Sequence, residues 1–168
     1  MRLALPLLAV ACTLAACGPP PAGTPVAIER VCDQPDDSRV RLDGYLRYRR
    51  GLLSFCETVN GKTTTCDMAL YADAAKPADF NVMAPPTPGP EPLNARLTVR
   101  IGSGPGQMDD IPDRFTGRDI RLHLEGGTTA TDGDRVVLDG KLNIIPASPD
   151  GASPKSCYIT VDWAKPAA

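Results

Sequence analysis

The sequence has few of the residues that enzymes use for acid–base and nucleophilic chemistry. Its 168 residues include one histidine and one tryptophan, and they contain no G-x-S-x-G motif that would form the nucleophile elbow of an α/β-hydrolase. The histidine, His123, falls on the polar side of an alternating stretch, beside Arg121 and Glu125. Nothing selects a catalytic pair among the 20 acids, so no catalytic residue is assigned and we expect a protein that is not an enzyme.

Metal-binding and nucleotide-binding motifs are also missing. The six cysteines contain no C-x-x-C spacing, and with a single histidine they do not indicate a zinc site. Asp109, Asp110 and Asp113 lack EF-hand spacing and are interrupted by Pro112, which is typical of a solvated acidic turn. The stretch GSGPG at 102–106 lacks the G-x-G-x-x-G spacing and a following helix, so it indicates a linker. We therefore predict neither a metal nor a cofactor.

Neither sign of charge dominates, and the apolar N-terminal run is too short to cross a bilayer. The net charge of −2 is too balanced to predict binding to nucleic acid. The run extends from Leu3 to Ala16, whereas a membrane-spanning helix needs about 20 residues. Preceded by Arg2, it predicts a targeting segment, residues 1–16, that is removed by cleavage.

The end of this run, Leu14-Ala15-Ala16-Cys17, resembles the lipobox of bacterial lipoproteins. The resemblance implies cleavage before Cys17, a diacylglyceryl group on its sulfur and an acyl chain on its new amino group. Two or three such chains hold a protein stably in a bilayer. By the sorting tendency of the family, Gly18 implies the outer membrane, so the expected location is the periplasmic face of that membrane.

The remaining chain divides into a tether and a domain. Residues 17–30 are predicted to be the lipidated N-terminus and a proline-rich tether, semi-extended from Gly18 to Pro25, and residues 31–168 one domain. Cys12 is a competing acylation site, but Ala9-Val10-Ala11 before it lacks the branched residue that the motif requires.

Apolar and polar residues alternate along the domain and predict about seven strands. No segment has a convincing helical period, and 18 prolines and 15 glycines favour many short elements, so an all-β fold is expected. Leu53–Glu57 and Thr63–Tyr71 are two of the strands; the apolar members of the others are Val40, Leu42, Leu46; Leu97, Val99, Ile101; Ile120, Leu122, Leu124; Val136, Leu138, Leu142, Ile144; and Cys157, Ile159, Val161, Trp163.

Two strands share a sequence. RVRLDGYL at 39–46 and RVVLDGKL at 135–142 agree at six of eight positions. Gly44 and Gly140 predict a sharp bend or bulge at the same place in each. These V-x-L-x-G strands resemble those of OB-fold domains, and the resemblance, over roughly residues 38–145, implies a small closed or partly open barrel, with 157–163 as an additional strand. An Ig-like β-sandwich is the alternative.

Four cysteines remain in the mature domain and predict two disulfides in an oxidising compartment. Three pairings are possible, and we favour Cys56 with Cys66 and Cys32 with Cys157. The first would close a hairpin whose turn is Asn60-Gly61, and the second would join the two ends of the domain. A strict two-residue turn places Cys56 opposite Thr65, so direct pairing with Cys66 requires a bulge or a longer loop.

One candidate ligand site combines aromatic rings with cations. On an OB-like barrel it would occupy the strand and hairpin where oligosaccharides or nucleic acids commonly bind, although a solvated strand face explains the same pattern. Its residues are Tyr45, Arg47, Tyr48, Arg49 and Arg50.

A second candidate lies in the proline-rich stretch 76–92. Phe80, Val82 and Met83 stand between prolines, where they either form an exposed anchor for a partner protein or fold back over the barrel mouth.

The expected function is a non-enzymatic binding or assembly module, held at the outer membrane by the acylated Cys17 and acting on an envelope protein. The second hypothesis is a binder of an envelope glycan or another anionic ligand through the Tyr/Arg strand. A hydrolase ranks third. Nucleic acid is not an expected partner, because a tethered envelope protein seldom meets it.

Overall fold

The computed structural model describes residues 19–48, 56–74 and 95–168. Within these ranges the helical elements are two 3-10 helices, Ile28–Asp33 and Gly117–Asp119, so the all-β prediction is confirmed. Cys17, Arg49, Arg50, Phe80, Val82 and Met83 lie outside the described residues. The strands are β1 (Thr24–Pro25), β2 (Arg39–Arg47), β3 (Glu57–Val59), β4 (Lys62–Tyr71), β5 (Ala95–Arg100), β6 (Leu122–His123), β7 (Thr129–Ala130), β8 (Arg135–Ile145) and β9 (Ser156–Pro166).

Five of the strands form a closed ring of hydrogen bonds. β2 pairs with β8 on one side and, through its last three residues, with β4 on the other. The ring continues from β4 through β5 and β9 to β8, and within it the β5–β9 pair is parallel. Apolar side chains from all five strands fill the interior, each at most 1% exposed: Val40, Leu42, Leu46, Met68, Leu70, Leu97, Val99, Leu138, Leu142 and Ile159.

The order of the strands in the ring resembles that of an OB fold. Taken in chain order, the first strand pairs with the second and the fourth, and the third pairs in parallel with the fifth. Following paired residues around the ring from Arg47 returns to β2 about ten residues earlier, near Asp37, and this stagger accompanies the strand tilt of a closed sheet.

The structure differs from the sequence-based strand assignment in two places. β9, expected as an addition to the OB-like strands, is itself a member of the ring. The predicted strand around Leu122 instead forms β6, which pairs with β7 in a separate two-stranded sheet. The described residues form one seven-stranded sheet and this small pair, rather than the two facing sheets of an Ig-like sandwich.

The two strands with the shared sequence pair with each other. β2 and β8 are antiparallel, with Gly44 opposite Val136 and Gly140 opposite Val40. Each glycine therefore lies opposite the valine of the other copy. The shared sequence thus reflects one local geometry used twice, across a single strand pair.

Both glycines allow a neighbouring strand to approach closely. A Cβ on Gly44 would lie 2.7 Å from the carbonyl oxygen of Tyr71, and a Cβ on Gly140 would lie 2.5 Å from that of Thr160. At Gly44 β2 begins to turn towards β4, and at Gly140 the β8–β9 ladder contains a bulge. The prediction is confirmed by the bulge at Gly140, and at both glycines the absence of a side chain allows close contact between backbones.

The β3–β4 hairpin contains both the predicted turn and the predicted bulge. Val59 pairs with Lys62 across Asn60-Gly61, whose φ angles of 51° and 75° fit a type I′ turn. The register then shifts after Glu57, which pairs with Thr65. Cys56 is consequently placed opposite Cys66, and the two form a disulfide with their Cα atoms 4.1 Å apart.

The second disulfide joins Cys32 to Cys157, as preferred from the sequence. Cys32 belongs to the 3-10 helix Ile28–Asp33, and Cys157 lies near the start of β9. The same helix inserts Ile28 and Val31, 3% and 0% exposed, into the core. The disulfide thus fixes a short helix that packs against β2, β5 and β9.

The predicted tether is shorter than the sequence suggested. Thr24 and Pro25 form β1, which pairs in parallel with the start of β2, and Ile28 is already part of the core. Residues 21–30, assigned above to the tether, therefore belong to the domain. The proline content correctly indicated an extended chain, but it did not indicate that this chain would pair with β2.

The segment between β5 and β8 packs over the ring more tightly than its glycines suggested. Met108, two residues after the stretch GSGPG, is 0% exposed. It forms isolated bridges with Ile101 and Leu122, which join β5 to the β6–β7 pair. Residues 102–113 are therefore an ordered part of the domain.

Candidate functional site

The described part of the Tyr/Arg site lies at the end of β2. Tyr45 is half-buried and pairs with Arg135 and Tyr71 on the two neighbouring strands. Arg47 donates a hydrogen bond from Nη2 to the carbonyl oxygen of Ala74 at 2.5 Å. Strand alternation therefore places Tyr45 and Arg47 on the outer face, as expected.

Tyr48 occupies a different environment from the one expected for a ligand-stacking ring. It is 6% exposed and packs edge-to-face on Phe115, with 5.5 Å between ring centroids. Residues 46 and 48 are both buried, so the period-two alternation of the strand already predicted that the side chain of Tyr48 would face the core. In the described arrangement Tyr48 stabilises the core and does not present a face to a ligand.

Asp132 holds the end of β2 in place. Its Oδ1 accepts a hydrogen bond from the backbone N–H of Tyr48 at 2.7 Å, and its Oδ2 lies 4.0 Å from Nη1 of Arg47. Nε of Arg47 is buried and has no hydrogen-bond partner among the described residues. Sequence reasoning did not identify Asp132, because it is 84 residues from Tyr48.

Arg47 connects the starting points of the two predicted sites. The stretch with Arg49 and Arg50 follows Tyr48 directly, and the stretch that leads to Phe80 follows Ala74, whose carbonyl Arg47 binds. The strand pairing of β2 with β4 produces this juxtaposition, since Arg47 pairs with Ala69. Both segments therefore leave the described domain at one corner, which we call the Arg47 corner (Arg47, Tyr48, Ala74, Phe115 and Asp132).

The outer face of the ring carries paired charges of both signs. These ion pairs are Arg39–Asp162 at 2.8 Å, Arg41–Asp139 at 3.2 Å, Arg135–Asp43 at 2.9 Å, Lys141–Asp37 at 2.8 Å and Arg96–Asp67. Because each of these five cations has a carboxylate beside it, this part of the face is electrostatically mixed and does not form a basic stripe. Such pairs contribute little to stability individually, and here they arrange polar groups on a regular surface.

His123 is hydrogen-bonded to Asp109, with 2.8 Å between Nε2 of the ring and Oδ1 of the carboxylate. The backbone of β6 presents it, and the N–H of His123 donates to the carbonyl of Gln107 at 2.7 Å. Among the described residues no hydroxyl group hydrogen-bonds to the ring. The pair therefore joins residues 102–113 to β6, and its geometry includes no nucleophile.

A shallow groove runs beside the N-terminal segment. Its volume is about 410 Å³, and it lies over the outer face of β2, β8 and β9. Lys165 on its wall has no ion-pair partner among the described residues. Sequence analysis missed this groove because residues 25–27 were assigned to the tether. The lining residues are Pro25, Val26, Ala27, Arg41, Asp43, Val137 and Lys165.

The described residues contain no group of three or more His, Cys, Asp or Glu side chains placed to hold a metal ion. Within the same ranges, no helix is both long and apolar enough to cross a membrane. No protein-family model matches the chain, and no curated protein matches it either.

Proposed function

We propose that the protein is a lipoprotein anchored by an acylated Cys17 at the periplasmic face of the outer membrane, where its β domain acts as a non-enzymatic binding or assembly module. The observation that carries the proposal is the sequence Leu14-Ala15-Ala16-Cys17-Gly18 at the end of a short apolar run. A chain with this feature reaches the envelope, an oxidising compartment.

The two disulfides support an envelope location. Cys32–Cys157 and Cys56–Cys66 are both formed, and such bonds persist in oxidising compartments but are rare in the cytosol. The Arg47 corner supports a binding role, because two segments predicted to contact ligands or partners start from it. Long connecting segments on a rigid scaffold are a common place for binding residues.

Replacing Cys17 tests the anchor. Cys17→Ser should prevent acylation and leave the precursor uncleaved, whereas the matched variant Cys12→Ser should be acylated and cleaved like the unaltered protein. The intact mass of the purified protein measures both effects, and cell fractionation of a chain that begins at Gly18 should show release from the membrane. A Cys17→Ser protein whose mass shows acyl chains and loss of residues 1–16 would contradict the proposal.

Crosslinking in intact cells tests the assembly role. A photoreactive residue at Phe80 or Val82 should trap one stoichiometric envelope protein, identified by mass spectrometry. A photoreactive residue at Lys62, on the β3–β4 hairpin, serves as the control position. Equal or absent trapping at both positions would contradict an assembly role for this segment.

A second candidate function is binding of an envelope glycan at the Arg47 corner. It is favoured by the buried Nε of Arg47, which lacks a partner among the described residues. Arg49→Ala/Arg50→Ala should weaken retention on purified cell-wall glycan without changing the melting temperature. Arg47 is left intact, since its bond to Ala74 would make loss of folding and loss of binding indistinguishable. Unchanged retention would exclude this function.

A further inference from the structure

The N-terminal segment is fixed to the domain from Pro21 onwards. The carbonyl oxygen of Pro21 accepts a hydrogen bond from Nε of Arg39 at 3.0 Å, and the N–H of Gly23 donates to Oδ1 of the buried Asp139 at 2.6 Å. The N–H of Val26 then donates to the carbonyl of Arg41 at 3.0 Å. These bonds lie before and after β1, so the segment is fixed to the outer face of the ring at both ends of the strand.

At Gly23 the N-terminal segment lies in close contact with the backbone of β2. A Cβ on Gly23 would lie 2.4 Å from the carbonyl carbon of Val40, closer than any real side chain approaches. The segment therefore passes directly over the backbone of β2 at a position where only glycine fits.

This attachment leaves a short free link to the anchor. If Cys17 is acylated, as the proposed function requires, only Gly18, Pro19 and Pro20 separate it from Pro21. Four Cα–Cα steps span at most about 14 Å even when fully extended. The surface where Pro21 enters the domain is therefore always close to the lipid headgroups, and the domain is unable to turn its far side towards the bilayer.

The strand directions identify that surface. β1 is parallel to β2, so the chain arrives from the side where β2 begins. β8 is antiparallel to β2 and continues past Arg39 in that direction, from Lys141, the partner of Arg39, to Ile145. Ile145 pairs with Ser156, which places the exposed Lys155 beside it on the other strand of the ribbon.

The residues at this end suit a membrane–water interface. Ile145 is 42% exposed, one of two large apolar side chains so exposed among the described residues, and the other, Val59, lies in the β3–β4 hairpin. A lysine beside an apolar side chain can bury its alkyl stem while its ammonium group lies among headgroups, as at Lys155, and the ammonium group of Lys141 is paired with Asp37 at 2.8 Å. We propose that Lys141, Ile145 and Lys155 form a bilayer-facing surface, which orients the domain on the membrane.

Covalent footprinting of lysines on vesicles tests this orientation. The lipidated protein is reconstituted into vesicles of phosphatidylethanolamine and phosphatidylglycerol and treated with an amine-acylating reagent. A chain that begins at Gly18, and so has neither the targeting segment nor the anchor, is treated in parallel. Acylation of Lys141 and Lys155 should be several-fold slower on vesicles. Lys62, at the end of β4 remote from its contact with β2, should react at the same rate in both samples.

A lengthened tether provides the matched variant. Inserting about ten Gly and Ser residues between Gly18 and Pro19 makes a flexible link whose ends lie roughly 18 Å apart on average, and whose maximum reach is longer still. Protection of Lys141 and Lys155 should then fall while the protein stays on the vesicles.

The outcomes separate the two proposals. A protein that remains on vesicles but shows no protection, or protects Lys62 instead, overturns the orientation and leaves the anchor intact. Protection unchanged by the longer tether overturns the argument from tether length. A purified protein that carries no lipid and does not bind vesicles overturns the proposed function itself.

Discussion

Removing each disulfide separately should destabilise the domain by different amounts. The perturbations are Cys32→Ala/Cys157→Ala and Cys56→Ala/Cys66→Ala, both in a chain that begins at Gly18 and has neither the targeting segment nor the anchor. In the chain-entropy description, a disulfide stabilises by restricting the unfolded chain, and the effect grows with the enclosed loop. The two sequence separations are 125 and 10 residues.

These loop lengths predict a loss of about 5 kcal/mol in the free energy of unfolding for the long loop and about 3 kcal/mol for the short one. Packing changes are closely matched, because each pair has one buried cysteine, Cys157 or Cys66, and one partly buried cysteine. The difference of about 2 kcal/mol corresponds to roughly 4–8 °C in melting temperature for a domain of this size.

Urea unfolding of the oxidised proteins, followed by circular dichroism, measures both free energies. Cys32→Ala/Cys157→Ala should have the lower midpoint, and a variant that is unfolded without urea counts as the less stable one. An equal or larger loss for Cys56→Ala/Cys66→Ala would refute the reasoning, since local hairpin packing would then outweigh the restriction of the unfolded chain.

Two further predictions concern a backbone contact and a titrating group. Gly140→Ala places a Cβ 2.5 Å from the carbonyl oxygen of Thr160 and should lower the free energy of unfolding, measured in urea, by about 1–3 kcal/mol. Gly104→Ala, whose nearest contact is at 3.5 Å, should change this free energy little. Equal losses of stability in the two variants would contradict this account. Hydrogen bonds from the backbone N–H and then the hydroxyl of Thr116 lower the pKa of Asp119 below its ordinary value of 3.8. Its stabilising contribution is therefore present above the unfolded pKa and lost as the pH falls through the lower folded pKa; carbon NMR of the carboxyl group should give a midpoint below 3.8, and Thr116→Val should raise it.

The features predicted correctly from the sequence are those set by local chemistry. Alternation identified the core side of β2 and β8 because one face of each strand is buried. The Asn60-Gly61 turn fixed the hairpin register, and the position of Cys66 then required a bulge. Gly44 and Gly140 marked close backbone contacts, although the pattern alone did not reveal that the two strands would pair with each other.

The features missed depend on contacts between distant parts of the chain. The N-terminal segment is bound by Asp139, which is 116 residues from Gly23, and proline content alone could not indicate such a partner. Met108 is buried and bridges Ile101 and Leu122, although it lies in a stretch with no periodic pattern that would predict these contacts. At the candidate site, the pattern placed Arg47 on the outer face but could not predict that Asp132 and Ala74 would bind it.

The docking of the N-terminal segment also constrains the order in which the molecule can be completed. Gly23 is synthesised before Asp139, and Cys32 before Cys157, so the first part of the domain to be made must wait for its partners from the last part. The β3–β4 hairpin, by contrast, contains everything it needs within a short stretch. Once the chain is in an environment where disulfides form, the hairpin can therefore close on its own, while the ring and the segment that crosses it are completed only when β8 and β9 are also present.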